Sequence, residues 1–385
     1  MSVVPALLWT LPWIVPPVVV FARALNSRSL DELPPDAPPG SPLVSVIVPA
    51  RNERRNIERC ARSVLTTQYP SIEVIVVDDH SDDGTGDIAR AIAREDPRLR
   101  VIEAPELPSG WFGKQWACAT GARHARGELL VFTDADTWHA SDLLSRTVNA
   151  LRSRDVDLLS VAGRQEMHSF WERVVQPQLF ALLWSRYGGT EHVSRAKRPV
   201  DVIASGQFIL VRREAYDAMG GHERVRDRVA EDLAMAQEYV RSGRRIALIF
   251  AEHQLSTHMY ASLGELVAGW RKNIYAGGRT AALGGRFGRA LYPFVLLGVP
   301  IFGLLPVAVL AIAMFGGAPV GWLLWSSIVI AFNLLAWAVV YRVMRESPVY
   351  AFTYPLGLVM LLLIAGGAVL RGRRVEWKSR SYLSR

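Results

Sequence analysis

The sequence predicts an α/β domain with a mostly parallel sheet, set between N- and C-terminal membrane helices. Three observations predict it. Short runs of Val, Ile and Leu alternate with segments of helical period between residues 43 and 260. Three C-terminal segments are almost free of charge. One apolar run, Leu129-Leu130-Val131-Phe132-Thr133, ends abruptly in Asp134-Ala135-Asp136. Ligands of open α/β sheets bind outside the carboxyl ends of the strands, and hard divalent cations take oxygen ligands, often one or two carboxylates plus substrate phosphates. Position on the strand selects this acid pair. Asp155-Val156-Asp157 has the same spacing but precedes an apolar run at 158–162 instead of ending one.

Residues 1–22 read as an uncleaved membrane anchor. The stretch 3–21 is apolar, with Pro5, Pro12, Pro16 and Pro17, and is followed by Arg23 and Arg28, without the basic start and small-residue cleavage site of a signal peptide. Residues 23–42 read as a linker, since 27–42 is polar and carries Pro34-Pro35 and Pro38-Pro39. From 43 to 260, strands are expected at 44–49, 72–79, 99–103 and 129–134, with helices at 56–65 and 85–94. Such alternation implies a parallel sheet covered on both faces. Leu263, Leu266, Val267, Trp270 and Ile274 recur at helical spacing, which suits a helix on the membrane surface or one packed on a core, within an amphipathic region at 261–290. Segments 291–315, 320–341 and 349–370 are long enough to cross a hydrocarbon layer, giving a membrane region at 291–370. A basic tail fills 371–385.

A 385-residue chain that is 50% hydrophobic exceeds what one soluble core needs. Its formal charge of +8 sits beside apolar segments and no nucleic-acid module is recognisable, so anionic headgroups or a negatively charged substrate are the expected partners, and nucleic acid is not. Cys60 and Cys118 form no CxxC and read as reduced structural residues in a cytoplasmic setting. Arg23 and Arg28 place the following region on the cytoplasmic side. Three later crossings then conflict with the basic tail, which makes 291–315, with Pro293, Pro300 and Pro306, the candidate for a broken, re-entrant segment.

The first strand ends in Pro49-Ala50-Arg51-Asn52-Glu53, which is not a glycine-rich phosphate turn. The second ends in Asp78-Asp79 ahead of His80-Ser81-Asp82-Asp83-Gly84-Thr85. Asp79 is a candidate contact to a nucleobase or ribose, and Asp82 and Asp83 read as caps of the next helix.

These motifs, with Thr133-Asp134-Ala135-Asp136 and Glu231-Asp232, resemble the family 2 glycosyltransferases, which have the GT-A fold. The resemblance implies a nucleotide-sugar donor, a divalent metal (Mg or Mn) bridging the diphosphate to the Asp-x-Asp pair, and inversion at the anomeric carbon. It places Pro49, Asn52, Glu53 and Asp79 around the nucleoside, Asp134 and Asp136 around the metal, and Asp232 as catalytic base. Gly110-Trp111-Phe112-Gly113-Lys114-Gln115-Trp116-Ala117, Ser205-Gly206-Gln207-Phe208 and Gly269-Trp270-Arg271-Lys272-Asn273 look like the bacterial membrane-bound members that act on lipid acceptors, including carotenoid- and hopanoid-associated enzymes and, more distantly, ceramide glycosyltransferases.

On chemical grounds an acceptor hydroxyl needs a base, and a departing nucleoside diphosphate needs positive charge. Asp232 is assigned the first task, against the alternative that Glu231 and Asp232 are ordinary first-turn acids complementing the helix dipole. Lys114 is expected to neutralise donor phosphate or contact the nucleoside, against the alternative of a solvated lysine at a helix start. Gly206, Gln207 and Trp270 are candidate contacts to the sugar or acceptor, Gln207 against the alternative of a plain strand residue, and His222, just after Gly220-Gly221, is a residue that could approach the acceptor. Arg271 is a candidate diphosphate contact, and the Trp270-Arg271 order departs from the Gln-x-x-Arg-Trp motif of processive synthases. The tail 371–382 reads as a basic membrane flank or as a closure over donor phosphates. The expectation is a multi-pass enzyme of the bacterial inner membrane whose catalytic domain faces the cytoplasm and moves one sugar to a hydroxyl of a lipid-like acceptor; no protein partner is expected. Two alternatives stay open: a polyprenyl-phosphate glycosyltransferase, and an inactive membrane scaffold of the same fold.

Overall fold

A computed structural model describes residues 3–280, 282–372, 374–377 and 380–383. The chain divides into two compact units. One holds Ser27–Glu166 and Thr190–Met259; the other holds the N-terminal helix, Met167–Gly189 and Tyr260–Gly372.

The first unit is built on one sheet of eight strands: β1 (Val44–Ala50), β2 (Ile72–Asp78), β3 (Leu99–Glu103), β4 (Leu129–Thr133), β5 (Thr137–His139), β6 (Leu158–Gln165), β7 (Phe208–Arg212) and β8 (Ile246–Thr257). Their order is β3-β2-β1-β4-β7-β6-β8-β5. β1 to β4 run parallel, as do β6 and β8, whereas β7 is antiparallel to both neighbours and β5 is antiparallel to β8. The four strands expected from sequence are present, and the sheet is mixed rather than uniformly parallel. β2 is buried at every residue and β1 at all but Pro49. A strand covered on both faces has no reason to alternate polar and apolar residues, which is why these segments read as continuous apolar runs.

Helices Ile57–Leu65 and Thr85–Glu95 bury Ile57, Cys60, Ala61 and Val64 from the first and Ala89 and Ile92 from the second. Each such fully buried branched aliphatic side chain contributes about 1.5–3 kcal/mol relative to exposure. The antiparallel direction of β7 matters most for the site. Its register pairs Thr133 with Phe208 and Leu129 with Arg212, so the residues entering β7, Gly206 and Gln207, lie at the same edge as the residues leaving β4, Asp134 to Asp136.

The proline-rich segment before β1 is a docked strap. A 3-10 turn at Leu30–Glu32 carries a capping box on Ser29, and Leu30 is wholly buried. Arg146 Nη1 donates to the Leu30 and Asp31 carbonyls, and Asn149 Nδ2 to those of Pro34 and Asp36. Prolines that cannot donate leave carbonyls free, and these side chains on helix Leu143–Ser153 take them up.

The second unit contains helices Val3–Ala24, Phe170–Tyr187, Leu263–Thr280, Gly285–Phe315, Val320–Val343 and Tyr354–Arg371. Three spans, Gly285–Phe315, Val320–Val343 and Pro348–Arg371, are long and apolar enough to cross a membrane. Gly285–Phe315 is one uninterrupted helix through Pro293, Pro300 and Pro306, not the broken segment expected. In the N-terminal helix, Trp13 stacks on Phe302 at 4.2 Å between centroids and donates Nε1 to the Phe302 carbonyl. On Leu263–Thr280, Leu266 and Trp270 are buried and Trp270 meets Phe180 edge-on, so this part of the amphipathic stripe packs on protein. The tail's backbone forms a hairpin of Arg374–Trp377 and Arg380–Leu383; its side chains, and with them the expected closure over donor phosphates, lie outside the described residues.

Candidate active site

The nucleotide end of the site is formed where β1 and β2 stop. Asn52 and His80 take left-handed backbone angles, with φ of 53° and 56°, which turn the chain sharply off each strand. The two loops then lock together. Ser81 Oγ receives the Asn52 amide, Asn52 Oδ1 receives the Asp82 amide, and Thr85 Oγ1 receives the Glu53 amide. Asp83 Oδ1 accepts from the Thr85 amide, but the N-cap of that helix is Gly84, in the left-handed region and without a side-chain cap bond, so neither Asp82 nor Asp83 is the cap. Asp79 is almost wholly buried, with Arg51 Nη1 3.8 Å from its carboxylate.

Beside this, the turn that carries Asp134 and Asp136 is braced from below. Thr137 Oγ1 donates to the Asp134 carbonyl at 2.7 Å, and Thr257 Oγ1 to the Asp136 carbonyl at 3.2 Å. His139 Nε2 sits 3.0 Å from the hydroxyls of both Thr133 and Thr137, and burial pushes its imidazole down to about 3, so it stays neutral. Thr133 Oγ1 also reaches the Gln207 carbonyl at 2.7 Å, tying the end of β4 to the start of β7. Sequence reading missed this bracing set; Thr137 and His139 stand next to the acids, but nothing in the sequence marks Thr257.

Lys114 is the hub. It is the second residue of helix Gly113–His124, and its Nζ stands 2.6 Å from Asp134 Oδ1 and 2.6 Å from Glu231 Oε1. A cation at a helix start opposes the macrodipole, and here two carboxylates supply the compensation. The Phe112 amide donates to the Arg226 carbonyl and Gln115 Nε2 to that of Arg228, which brings the loop ahead of Glu231 onto the start of Lys114's helix. Burial pulls the Lys114 ammonium down, yet Asp134 and Glu231 outweigh it and hold the group well above the usual lysine range. The partnership of Glu231 with Lys114 is an addition from the structure.

Asp232 follows in the first turn of Glu231–Arg241. Its Oδ2 accepts the Gly206 amide at 2.9 Å and its Oδ1 the Leu233 amide at 2.7 Å. Burial and then Glu231 push its carboxyl up to about 6, against the pull of Lys114 and the two amides. For Asp136, burial and then Asp134 and Glu53 push the carboxyl up to about 7. Asp134 is raised by burial as well, with Lys114 opposing and Glu231 and Glu53 adding to it. The three acids named from sequence therefore share one electrostatic neighbourhood, with Lys114 acting on each of them.

Among the described residues, Asp136 Oδ1 is buried and has no hydrogen-bond partner. A buried carboxylate oxygen left unpaired is costly, and a divalent cation would satisfy it. Among the described residues no group of three His, Cys, Asp or Glu side chains could hold a metal ion alone. Two carboxylates completed by phosphate oxygens and water are the arrangement magnesium commonly takes.

The remaining candidates divide. Gln207 forms a reciprocal amide pair with Gln165, at 3.1 and 3.3 Å. Trp270 and Arg271 belong to the other unit, where, among the described residues, Trp270 Nε1 and Arg271 Nε are buried without hydrogen-bond partners and Arg271 lies against Gly367. His222 does not face an acceptor. It is buried, bonded through Nδ1 to the Tyr216 hydroxyl at 2.8 Å, set edge-on to Phe132, and pushed by burial down to about 3. Its position after Gly220-Gly221 folds it inward against β4.

Residues 45–220 match the Glycosyl transferase family 2 profile. The 4,4'-diaponeurosporenoate glycosyltransferases of Staphylococcus haemolyticus (strain JCSC1435) and Staphylococcus aureus (strain USA300) are 25% and 27% identical over 239 residues, 61% of this chain. The chain spans 61% of the length of these relatives. A solved structure described as mannosyltransferase PcManGT from Pyrobaculum calidifontis in complex with GDP-Man and Mn2+ superposes with a TM-score of 0.60 at 23% identity, covering 95% of this chain and 97% of that one, a likeness of fold. The strand order and the acid pair ending β4 accord with the profile match over residues 45–220, and the fold is GT-A.

Proposed function

We propose that this protein is an inverting, metal-dependent glycosyltransferase that moves one sugar from a nucleotide donor to a hydroxyl of a lipid-like acceptor presented at a membrane. The observation that carries the reading is the cluster joined by Lys114: Asp134 on one side, Glu231 and Asp232 on the other. Asp134 and Asp136 would hold the cation, Mg or Mn, and the orphaned Asp136 Oδ1 fits that role. When bound, the cation offsets the charge that builds on the departing diphosphate. Lys114 adds a second positive charge to the same leaving group.

Asp232 takes the acceptor proton. A base is most useful when its pKa lies near the working pH, and a carboxyl raised to about 6 is ionised yet basic enough near neutrality. The Gly206 and Leu233 amides fix its orientation. Pro49, Asn52, Glu53 and Asp79 would line the nucleoside, and Gly206 and Gln207 the sugar or acceptor. Trp270 and Arg271 are kept as acceptor and diphosphate candidates supported by resemblance. Three apolar spans support a membrane setting, and the basic residues after the first anchor support a cytoplasmic catalytic face. The relatives' names support a carotenoid-related acceptor class.

The test is to incubate the purified full-length protein with Mn2+, a panel of nucleotide sugars and a bacterial lipid extract, and to weigh the lipids by mass spectrometry. A lipid gaining one hexose mass supports the reading. Absence of both lipid product and donor hydrolysis with every donor sinks it and leaves the inactive scaffold.

A further inference from the structure

The ion pair at Lys114 carries a consequence for the order in which ligands assemble, one that rests on the donor site proposed above. Asp134 is one of the two carboxylates available to a cation, and one of its oxygens already lies 2.6 Å from an ammonium. The other candidate carboxylate, Asp136, has a buried oxygen with no hydrogen-bond partner among the described residues. In the metal-free cluster one of the two candidate carboxylates is therefore already paired from within. Glu231 Oε1, also at 2.6 Å, anchors the ammonium on its far side, and the backbone bond from Phe112 to Arg226 fixes the start of the lysine's helix.

A divalent cation arriving alone meets this ammonium at Asp134, where like charges a few ångströms apart repel strongly in a partly buried setting. A diphosphate offers the ammonium a better acceptor, because charge-assisted bonds to phosphate oxygens are strong. Lysine suits the exchange: its charge is compact, on a flexible stem with rotatable donors.

We propose that Lys114 is an internal counter-cation that holds Asp134 in the metal-free protein and passes to the nucleoside diphosphate, so that metal and nucleotide bind interdependently. The cluster is thereby kept from filling with metal that has no donor attached.

The experiment titrates full-length protein in detergent with Mn2+, reading free Mn2+ by electron paramagnetic resonance, with and without saturating GDP or UDP. Wild type is expected to bind Mn2+ alone weakly and about tenfold or more tightly with nucleotide. Lys114→Gln and Lys114→Met are expected to bind Mn2+ alone about tenfold tighter than wild type and to lose most of the nucleotide effect, since removing one nearby positive charge is worth that order of energy. Lys114→Arg, which keeps the charge, is expected to bind Mn2+ alone as weakly as wild type. Either neutral variant that retains the wild-type melting temperature suffices for the comparison. Unchanged or weaker Mn2+ affinity in that variant overturns the proposal, as does wild type binding Mn2+ equally well with and without nucleotide. If neither GDP nor UDP binds wild type in Mn2+, the donor site itself falls; if nucleotide binds and the neutral variant leaves Mn2+ affinity unchanged, only the counter-cation role falls.

Discussion

The backbone amide of Gly206 donates to Asp232 Oδ2 at 2.9 Å, joining the entry of β7 to the first turn of helix Glu231–Arg241. The contact exists because β7 runs antiparallel to β4, which delivers Gly206 to the strand edge that carries Asp134. A Cβ at position 206 would stand 3.1 Å from Asp232 Oδ2 and 3.2 Å from Lys114 Nζ. A small residue is thus favoured at the point where Asp232 and Lys114 meet.

Gly206→Ala is expected to slow transfer with little change in melting temperature, and Gly206→Val to slow it about 100-fold, the cost typical of a misplaced reacting group. Steady-state kcat with thermal unfolding as control checks this. A Gly206→Val enzyme at wild-type kcat contradicts the geometry.

The pH dependence follows from Asp232. Its carboxyl is pushed up to about 6, and in the proposed role as base it acts only when ionised, so kcat at saturating Mn2+ and donor is expected to climb through pH 6 and level off above it. A profile flat from pH 5 to pH 8 separates the base from the rate.

Asp136 makes the opposite prediction for stability. Its folded carboxyl is pushed up to about 7 while its ordinary value is 3.8, so between these values the folded state holds a proton the unfolded state has released. Stability of the metal-free protein from this group is therefore full below pH 4 and is lost as pH rises through 7. Asp136→Asn is expected to melt higher than wild type at pH 8, with the gap closing toward pH 4, and to lose the stabilisation Mn2+ gives wild type. Thermal scans at both pH values, with and without Mn2+, decide it.

Leu30 tests the strap. It is wholly buried, and Leu30→Ala is expected to cost about 2–5 kcal/mol through lost burial and the cavity left behind. An unshifted melting temperature would show that residues 27–42 are the free linker their composition suggests.

Strands β1, β2 and β4 were legible because a buried parallel strand is an unbroken apolar run between turn residues. The acid pair was legible because it ends such a run. β5 is three residues long and is held by β8 from far downstream, so no local pattern announces it. The strap was misread because proline-rich composition reports what the backbone cannot donate, whereas docking depends on Arg146 and Asn149 far along the chain. Lys114 was legible as a cation out of place at a helix start; its partner Glu231 was not, because an acid in a first turn already has an ordinary explanation. His222 was misplaced for the same kind of reason: sequence shows a histidine after two glycines but not which way the turn faces.

The most direct measurement is Asp232→Asn, with transfer and nucleotide binding read on the same preparation. Lipid transfer is expected to fall by about 10²–10⁴-fold, the usual contribution of a positioned base, while GDP or UDP binds in Mn2+ as in wild type. Transfer at the wild-type rate would remove Asp232 from the chemistry and turn the reading toward a phosphate acceptor that needs no base.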